Sequence, residues 1–504
     1  MRTAGVRLAA LCLFLFSSAA VAQRRPTIAE RERARARAAE QQAIAFEAFS
    51  RRDAPAAEAA LRKQIEFTPD DFVAHYNLAS ALAVQPGQQD QAIAALRRAI
   101  ELGFSSKSSL TGDGWLAGLR TRDGYRAILD NWDSIMHAQR EARLERDRAL
   151  VPTAGDVISI EELRLDVLSS FAPAITAATV EELRRVASWA EHDLGIPAAG
   201  AALEEQAWVT VALPDKRGFN QWARLEYGVD ALRGNAQIGG QYAHDDKRLV
   251  SRDLGATLRH EFFHVIHARD QERLGQRHAT WILEGLASLL EDFDPIDTSP
   301  PSLTPAESRR SNIVRRMARI NRIPPVEALA GLEAERFTRQ RALAKYAQAH
   351  AVCLYLDRQG LLDDFYRLYT TDPADGYDAD PTGLAALRAV LRTDDDGIDE
   401  RLRLWARDEL PEVPEEWTDA DATIPVRVET DDDKGGVRVI QRRPPAGVNL
   451  RLGDVIVAMD GKPTPDFAEM LRHLIRAEPG QVVTLDIVRG KLTRQESVEL
   501  IPTP

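Results

Sequence analysis

The stretch Leu258-Arg259-His260-Glu261-Phe262-Phe263-His264, followed by Trp281-Ile282-Leu283-Glu284-Gly285, contains the most informative pattern of this 504-residue chain. Residues four apart on an α-helix lie on the same face, so the imidazoles of His260 and His264 project side by side. Two such histidines can bind one Zn²⁺ ion, with Glu261 beside the metal's open position. The spacing therefore predicts a helical metal site, to which Glu284, in a second helix-forming run, adds a third ligand.

The two motifs together, H-E-x-x-H and then W-x-x-E-G-x-A at 281–287, resemble those of the gluzincin zinc peptidases, the broad thermolysin-like clan. The resemblance covers about residues 155 to 410. It implies that His260, His264 and Glu284 bind a single zinc ion and that Glu261 activates the zinc-bound water for attack on a peptide carbonyl. General chemistry agrees, since three protein ligands leave a fourth position for a water whose pKa zinc lowers toward about 7. The alternative is a helix that carries two histidines by coincidence.

Residues further along the chain bear on the type of peptidase. Tyr346 resembles the tyrosine that opens a later helix in related metallo-aminopeptidases, where it would stabilise the oxyanion of the reaction, and His350 is a substitute candidate. An ordinary packed tyrosine is the alternative. Residues 239–242 are expected to hold substrate backbone as an edge strand. Residues 234–238 lack the glutamate with which family aminopeptidases bind a free amine, which favours an endopeptidase.

Zinc-binding histidines usually need an acceptor for their second ring nitrogen. Many thermolysin relatives carry an acid one helical turn after the third ligand, but this chain has Ser288 there. Asp253 and Asp292 are the candidates that remain. Three further histidines are expected to lie outside the ligand set. His267 is expected at the rim of the site, and His244 and His278 are expected at the surface.

Residues 1–22 have the pattern of a secretory signal, with Arg2 and Arg7 before an apolar run and an A-x-A cleavage site at 20–22. The apolar run is too short to span a bilayer. We therefore expect an exported protein, periplasmic or secreted and of bacterial type, without a transmembrane anchor after cleavage. Cys353, the only cysteine beyond the signal, is expected to be a buried inert thiol. The formal net charge of −12 argues against nucleic-acid binding.

The N-terminal part reads as a helical repeat region. Residues 23–40 are predicted to form a charged linker or helix, and residues 41–150 contain a repeat in which Ile44-Ala45 recurs as Leu78-Ala79 and Ala57 as Ala92. The period of 34 to 35 residues resembles that of tetratricopeptide repeats. Two such units are fewer than a free-standing array needs, so we expect them to pack on the helices that follow. A packing module and a peptide-binding groove both remain open.

The central part is predicted to be an α+β catalytic unit. Residues 151–300 are expected to form a zincin-like domain, with strands near 157–168, 208–213 and 236–242 before the metal helix. Residues 301–412 are expected to be helical throughout, apart from a loop at 372–381. This helical subdomain would complete the catalytic unit.

After a linker at 413–423, residues 424–504 resemble a bacterial PDZ domain, most clearly in Leu452-Gly453-Asp454-Val455-Ile456 and Asp460-Gly461. In such domains a short loop captures a peptide's terminal carboxylate. The matching residues here, 424–426, include Pro425, which removes one N–H donor. Carboxylate capture and a regulatory or packing role both remain open.

The sequence as a whole predicts a multidomain exported zinc metallopeptidase with an α-helical repeat region, an α+β catalytic domain and a mostly-β PDZ-like domain. Its partners would be a peptide or protein substrate, and other proteins bound through the repeats and the PDZ-like domain. The alternative is an envelope adaptor that binds proteins while its zinc site is structural or inactive. An intact Glu261 favours the enzyme, because a purely structural zinc ion would not need it.

Overall fold

The chain forms a helix-rich molecule with a C-terminal β-sheet region, here as a computed structural model. It describes residues 27–228, 239–296, 302–339, 341–371, 380–413, 420–431, 435–441, 445 and 447–503. The predicted signal peptide and residues 234–238 lie outside these ranges. Within them, none of the helices is both long and apolar enough to cross a lipid bilayer.

Short connections join the helices of the N-terminal region, so neighbours in sequence pack against each other. The helices are α1 (Ile28–Ser50), α2 (Ala54–Phe67), α3 (Phe72–Ala83), α4 (Gln89–Glu101), α5 (Lys107–Gly112), α6 (Asp123–Asp130) and α7 (Trp132–Arg148). The matching small residues of the sequence repeat, Ala45 with Ala79 and Ala57 with Ala92, are all fully buried. Their cluster continues into α6 and α7 through Trp132. The assignment to the tetratricopeptide family stays a prediction.

A mixed sheet lies at the centre of the described residues. Its strands are β1 (Ile158–Ile160), β2 (Leu165–Ser169), β3 (Val209–Leu213), β4 (Gly240–Ala243) and β5 (Arg248–Ser251), with α8 (Pro173–Asp193) and α9 (Lys216–Tyr227) between them. The strand order is β1-β2-β3-β5-β4, with β2, β3 and β5 parallel and an antiparallel strand at each edge. Helices α7 and α9 cover one face and α8 the other, which explains why β3 is buried on both sides.

The predicted metal motif lies on α10 (Ala256–Leu274), followed by α11 (Thr280–Leu289) and a hairpin of β6 (Phe293–Ile296) and β7 (Ser302–Pro305). Most of α10 is buried, and Thr257, Glu261 and His264 form a half-buried stripe along it. Helix α10 ends where Gly275 adopts a left-handed conformation (φ 65°). The hairpin differs from the expectation of helices alone after the motif, and it crosses the predicted boundary at residue 300.

The remaining helices pack behind α11. They are α12 (Arg309–Arg319), α13 (Val326–Ala330), α14 (Ala334–Thr338), α15 (Ala342–Arg358), α16 (Leu362–Thr370), α17 (Leu384–Leu391) and α18 (Asp395–Asp408). Helices α11 and α15 approach closely at Gly285, where a Cβ would lie 2.7 Å from the Sγ of Cys353. Cys353 is fully buried and its thiol pKa is raised by that burial, as expected of an inert cysteine.

The C-terminal region is a small sheet with one helix against it. The elements are β8 (Ala422–Thr423), β9 (Val428–Thr430), β10 (Val437–Val439), β11 (Val455–Met459), β12 (Lys462–Pro463), α19 (Phe467–Leu474), β13 (Val482–Arg489), β14 (Leu492–Glu499) and β15 (Ile501–Pro502). The main strand order is β14-β13-β11-β10-β9. Helix α19 lies against β9, the edge strand.

The C-terminal region packs firmly on the central part. Val457 of β11 belongs to the same buried cluster as Ile175 of α8. The ammonium group of Lys462 donates a hydrogen bond of 2.6 Å to the carbonyl oxygen of Phe293. The start of the predicted linker is also held, since the side chain of Asn312 exchanges two hydrogen bonds with the backbone of Val413. Residues 414–419 of that linker lie outside the described residues.

Candidate metal centre

The three predicted ligands come together in space. Nε2 of His260 lies 3.1 Å from Nε2 of His264 and 3.2 Å from Oε2 of Glu284, and His264 Nε2 is 3.6 Å from the same carboxylate oxygen. All three donor atoms therefore converge on one point from two helices, α10 and α11. The half-buried side chains of His264 and Glu284 leave one side of the group accessible.

These spacings fit a zinc ion. With Zn–N and Zn–O distances of 2.0–2.2 Å, tetrahedral ligands stand about 3.3 Å apart. The three observed separations, from 3.1 to 3.6 Å, bracket that value. Two imidazoles and one carboxylate are also a donor set that zinc accepts in sites with an open fourth position. The residues of this site would thus hold a divalent zinc ion without rearrangement of their backbones.

Charge in the site favours a cation. Burial lowers the pKa of His260, but the adjacent carboxylates of Glu284 and Glu291 outweigh it and raise that pKa to about 10. Burial acts in the opposite sense on Glu284, yet its hydrogen bonds to His260 and His264 hold its pKa well below the usual range. Both shifts have one cause, which is the attraction between the imidazoles and the adjacent carboxylates. When the imidazoles are neutral, the carboxylates leave a negative charge that a bound cation would neutralise.

Glu261 lies on the same half-buried stripe of α10 as His264. Its Oε2 accepts a 2.8 Å hydrogen bond from the backbone N–H of Tyr242 in the edge strand β4. This contact fixes one carboxylate oxygen and leaves the other available. The strand predicted to hold substrate backbone therefore lies directly beside the predicted base.

The support for His260 comes from a residue that the sequence did not single out. Nδ1 of His260 lies 3.0 Å from Oε1 of Glu291, a charge contact rather than a straight hydrogen bond. The guanidinium of Arg310 in α12 donates two hydrogen bonds of 2.6 Å to the same carboxylate. Glu291 follows Glu284 by seven residues rather than by four, and it lies just beyond α11, which ends at Leu289.

The two candidates named from the sequence for this role are wrong. Asp253 accepts hydrogen bonds from the backbone N–H groups of Gly255 and Thr257 and from the hydroxyl of Thr257, at the start of α10. The Oδ1 of Asp292 lies 3.5 Å from Arg476, and the acid beside Nδ1 of His260 is Glu291 instead.

Tyr346 lies at the edge of the metal centre. The guanidinium of Arg310 sits 5.0 Å from the centre of its ring, and Phe337 packs edge-on against it. Burial, and then the charge of Glu284, raise the pKa of Tyr346 well above the usual range. The substitute candidate does not face the metal, since His350 is fully buried with its Nε2 3.3 Å from Ser311 Oγ.

The other histidines near the motif are not ligands, but their environments differ from the expectation. His267 is fully buried and lies 2.7 Å, ring nitrogen to ring nitrogen, from His278. His278 is only 8% exposed, so the expectation of a surface residue was wrong. His244 is half-buried and joins the hydroxyl of Tyr242 to the carboxylate of Glu272.

Comparison with known families identifies one part of the chain. The family model described as PDZ domain matches residues 423–500. These residues form a PDZ domain. The match agrees with the sheet and the single helix α19 seen there. Ile424 and Val426, at the place expected for carboxylate capture, are buried in the core of the PDZ domain. Capture of a C-terminus by this domain stays a prediction.

The comparisons with whole proteins say less. No curated protein sequence matches the chain. Among solved structures it is similar to the crystal structure of an aminopeptidase N family protein from Idiomarina loihiensis, with 12% sequence identity and a TM-score of 0.18. The match covers 67% of this chain and 65% of that one. A TM-score this low carries no argument about fold or activity.

The PDZ domain touches the metal helix directly. Glu469 of α19 is 5% exposed, and a Cβ on Gly255, which precedes α10, would lie 2.2 Å from its Oε1. Burial, and then the charge of Asp253, raise the pKa of Glu469 to about 8, while Arg472 at 3.1 Å opposes the rise. The PDZ domain thus supports the first turn of α10, one turn before His260.

Proposed function

We propose that this chain is an exported, zinc-dependent metallopeptidase that hydrolyses internal peptide bonds. The observation that carries the proposal is the convergence of His260, His264 and Glu284, whose donor atoms lie within 4.8 Å of one another. Glu261 on the neighbouring turn supplies the base that such a reaction requires. Export is supported by the pattern of residues 1–22 alone.

The metal would supply Lewis acidity and lower the pKa of a water molecule. Glu261 would then receive the proton of that water on its carboxylate and pass it to the leaving amine. The hydrogen bond from Tyr242 N–H favours this role, because it holds the carboxylate in one orientation. Tyr346, kept protonated by its raised pKa, would donate its phenolic proton in a hydrogen bond to the developing oxyanion.

Strand β4 supports a peptide as substrate. It is an edge strand, and an extended peptide can pair with the free side of an edge strand. Gly239 and Gly240 lie against Thr257 and Ser251 so closely that a Cβ at either would clash. The glycines therefore keep the strand close to the first turns of α10, beside Glu261.

The decisive experiment measures zinc content and hydrolysis of a mixed peptide library for the wild type and for Glu261→Gln. We expect one equivalent of zinc in both and cleavage in the wild type alone, with a loss of at least about a thousandfold in the variant. Glu272→Gln, the same substitution about three turns further along α10, is the matched control and should retain cleavage. Undiminished hydrolysis by Glu261→Gln would disprove the assignment of the base.

A second candidate function is an adaptor that binds proteins through its PDZ domain while the zinc site is structural or inactive. The matched PDZ family model favours it, because such domains bind peptides. Zinc in both proteins with cleavage in neither would support the adaptor over the peptidase.

A further inference from the structure

A cleft of about 370 Å³ lies between the central part and the PDZ domain. Its charged walls come from three elements: Glu291 and Asp292 after α11, Arg309 and Arg310 at the start of α12, and Arg472 and Arg476 of α19 and the residues after it. The lining also includes Ala256, the first residue of α10, Ser308, and the apolar side chains of Ile313, Leu343, Val413 and Ile475. The cleft thus lies beside the start of α10 and the end of α11, the two helices that carry the predicted ligands.

The cleft adjoins the metal centre. Its wall residue Glu291 lies 3.0 Å from the ring of His260, and its wall residue Arg310 stacks on Tyr346. Leu343 precedes Tyr346 by one turn of α15. A peptide bound at the metal centre could therefore extend into the cleft.

The charge of the cleft is opposite to that of the protein. Four arginines face two carboxylates, which gives a formal charge of +2 (4 − 2), whereas the whole chain carries −12. A local excess of positive charge in a cleft attracts and retains anionic ligands. This cleft therefore favours anionic groups, unlike the chain as a whole, which carries a negative net charge.

Part of this positive charge is not neutralised by the protein itself. Arg310 is fully engaged by Glu291, and Arg476 lies 3.5 Å from Asp292. Arg309 is exposed, and among the described residues no carboxylate lies within 4.0 Å of its guanidinium. The side chain of Arg472 is 52% exposed. Its Nη1 lies 3.1 Å from Glu469, whose pKa is raised to about 8, and 4.0 Å from Asp253, so both contacts use one end of the guanidinium. Arg309 and Arg472 thus offer N–H donors to a ligand.

We infer that this cleft binds a carboxylate of the peptide substrate, away from the scissile bond. The inference rests on the proposed function and narrows its substrates to acidic peptides. Guanidinium groups bind carboxylates through paired, charge-assisted hydrogen bonds, and the apolar rim suits a peptide better than a free ion. The carboxylate is that of an aspartate or glutamate side chain, or the α-carboxylate at a peptide's end.

The test measures binding separately from cleavage. Zinc-loaded Glu261→Gln protein is titrated with fluorescein-labelled decapeptides that carry either Glu or Gln at the same positions, each with a free or an amidated C-terminus. We expect the Glu peptides to bind about tenfold more tightly, and the difference to shrink at high salt. A preference that follows the free C-terminus instead would identify the α-carboxylate as the group bound.

The same titrations with Arg309→Glu added should abolish the preference for acidic peptides. Arg309 is the first residue of α12, where an acidic side chain is favourable, so this variant is expected to fold. Arg322→Glu is the matched control, because it makes the same charge change at an exposed residue that does not line the cleft. We expect it to change binding by less than about twofold.

Equal binding of all peptides, no binding of any, or an equal loss in the Arg309 and Arg322 variants would overturn the inference. Cleavage by the wild type is recorded on the same peptides. Acid-selective binding without cleavage would uphold the carboxylate site and count against the peptidase. Cleavage without a preference for acidic peptides would support the peptidase and count against the carboxylate site.

Discussion

Two histidine pairs that involve helix α10 have opposite environments. In one pair, His260 and His264, the ring nitrogens stand 3.1 Å apart, and the carboxylates of Glu284 and Glu291 are close to them. In the other, His267 of α10 lies 2.7 Å from His278, which follows the helix, and aromatic rings pack around both. His267 comes only three residues after His264, yet only the first pair is arranged to hold a cation.

The difference is made by the acids rather than by the histidines. Carboxylates raise the pKa of His260, whereas burial lowers the pKa of His278 to about 4 and lowers that of His267 well below its ordinary value. Asp270 is near the second pair, but its carboxylate is engaged by the hydroxyl of Tyr366 and by Arg273. Whether a histidine pair can bind a metal or only packs against its neighbours therefore depends on which carboxylates the tertiary structure leaves free beside it.

The largest expected effect separates the two pairs by their metal. His264→Ala should reduce bound zinc from about one equivalent to almost none after dialysis, because two ligands remain. His267→Ala, the same change one turn later, should keep its zinc and instead lower the melting temperature, since it opens a cavity and leaves Nδ1 of His278 without its partner. Zinc content by atomic absorption, with thermal unfolding of both variants, checks this. A comparable loss of zinc from His267→Ala would contradict the distinction between the pairs.

The next effect concerns acid. Because the pKa of His278 is lowered to about 4 in the fold from an ordinary value of about 6.5, the unfolded chain binds the extra proton between these pH values. The neutral pair's contribution to stability is thus complete above pH 6.5 and is lost as the pH falls toward 4, by roughly 3 kcal/mol. The groups that face His278 are His267, Tyr366, Tyr369 and, through its charge, Asp270.

We expect His278→Gln to lose less stability than the wild type over this range. Unfolding in urea at a series of pH values, compared between the two proteins, isolates the contribution of His278, because the other titrating groups are shared. Parallel curves for the two proteins would show that the buried pair does not respond to acid.

The smallest effect tests the acid that supports the metal pair. Glu291→Gln keeps the shape of the side chain but removes the charge beside His260, so zinc affinity should fall about 10- to 100-fold. Competition with a chelator measures it. Asp292→Asn is the control, since the neighbouring carboxylate points toward Arg476 and should leave zinc affinity unchanged. Equal effects of the two substitutions would assign the loss to net charge rather than to the contact with His260.

The parts of the site that lie within one helix could be predicted from the sequence, because the four-residue spacing fixes His260, Glu261 and His264 on adjoining turns. Glu284 could be predicted from its motif. Glu291 could not, since its contact depends on where α11 ends and on how Arg310 arrives from α12. The only signal was an acidic pair after the helix, and the choice of Asp292 from it was wrong.

The burial of His278 was predicted wrongly for the same reason, since it depends on tertiary contacts. His278 follows Gln276 and Arg277, so its sequence is typical of a surface loop, but α16 covers it with Tyr366 and Tyr369. The strand at 302–305 was missed because its partner β6 lies before residues 297–301, which resemble a linker. A local sequence pattern reflects interactions between residues that are close along the chain. The contacts that bury His278 and that pair β7 are made by other elements, so the local pattern did not predict them.

The support that Glu469 gives to Gly255 has a consequence for biosynthesis. The chain is made from its N-terminus, so the metal helix leaves the ribosome about two hundred residues before the PDZ helix that packs against its first turn. Until then, α10 lacks its final neighbour, and the cluster that Val457 completes is open to water. A later part of the chain thus completes the packing of the helix that carries the histidines, so the predicted metal centre reaches its final packing only after the PDZ domain has been made.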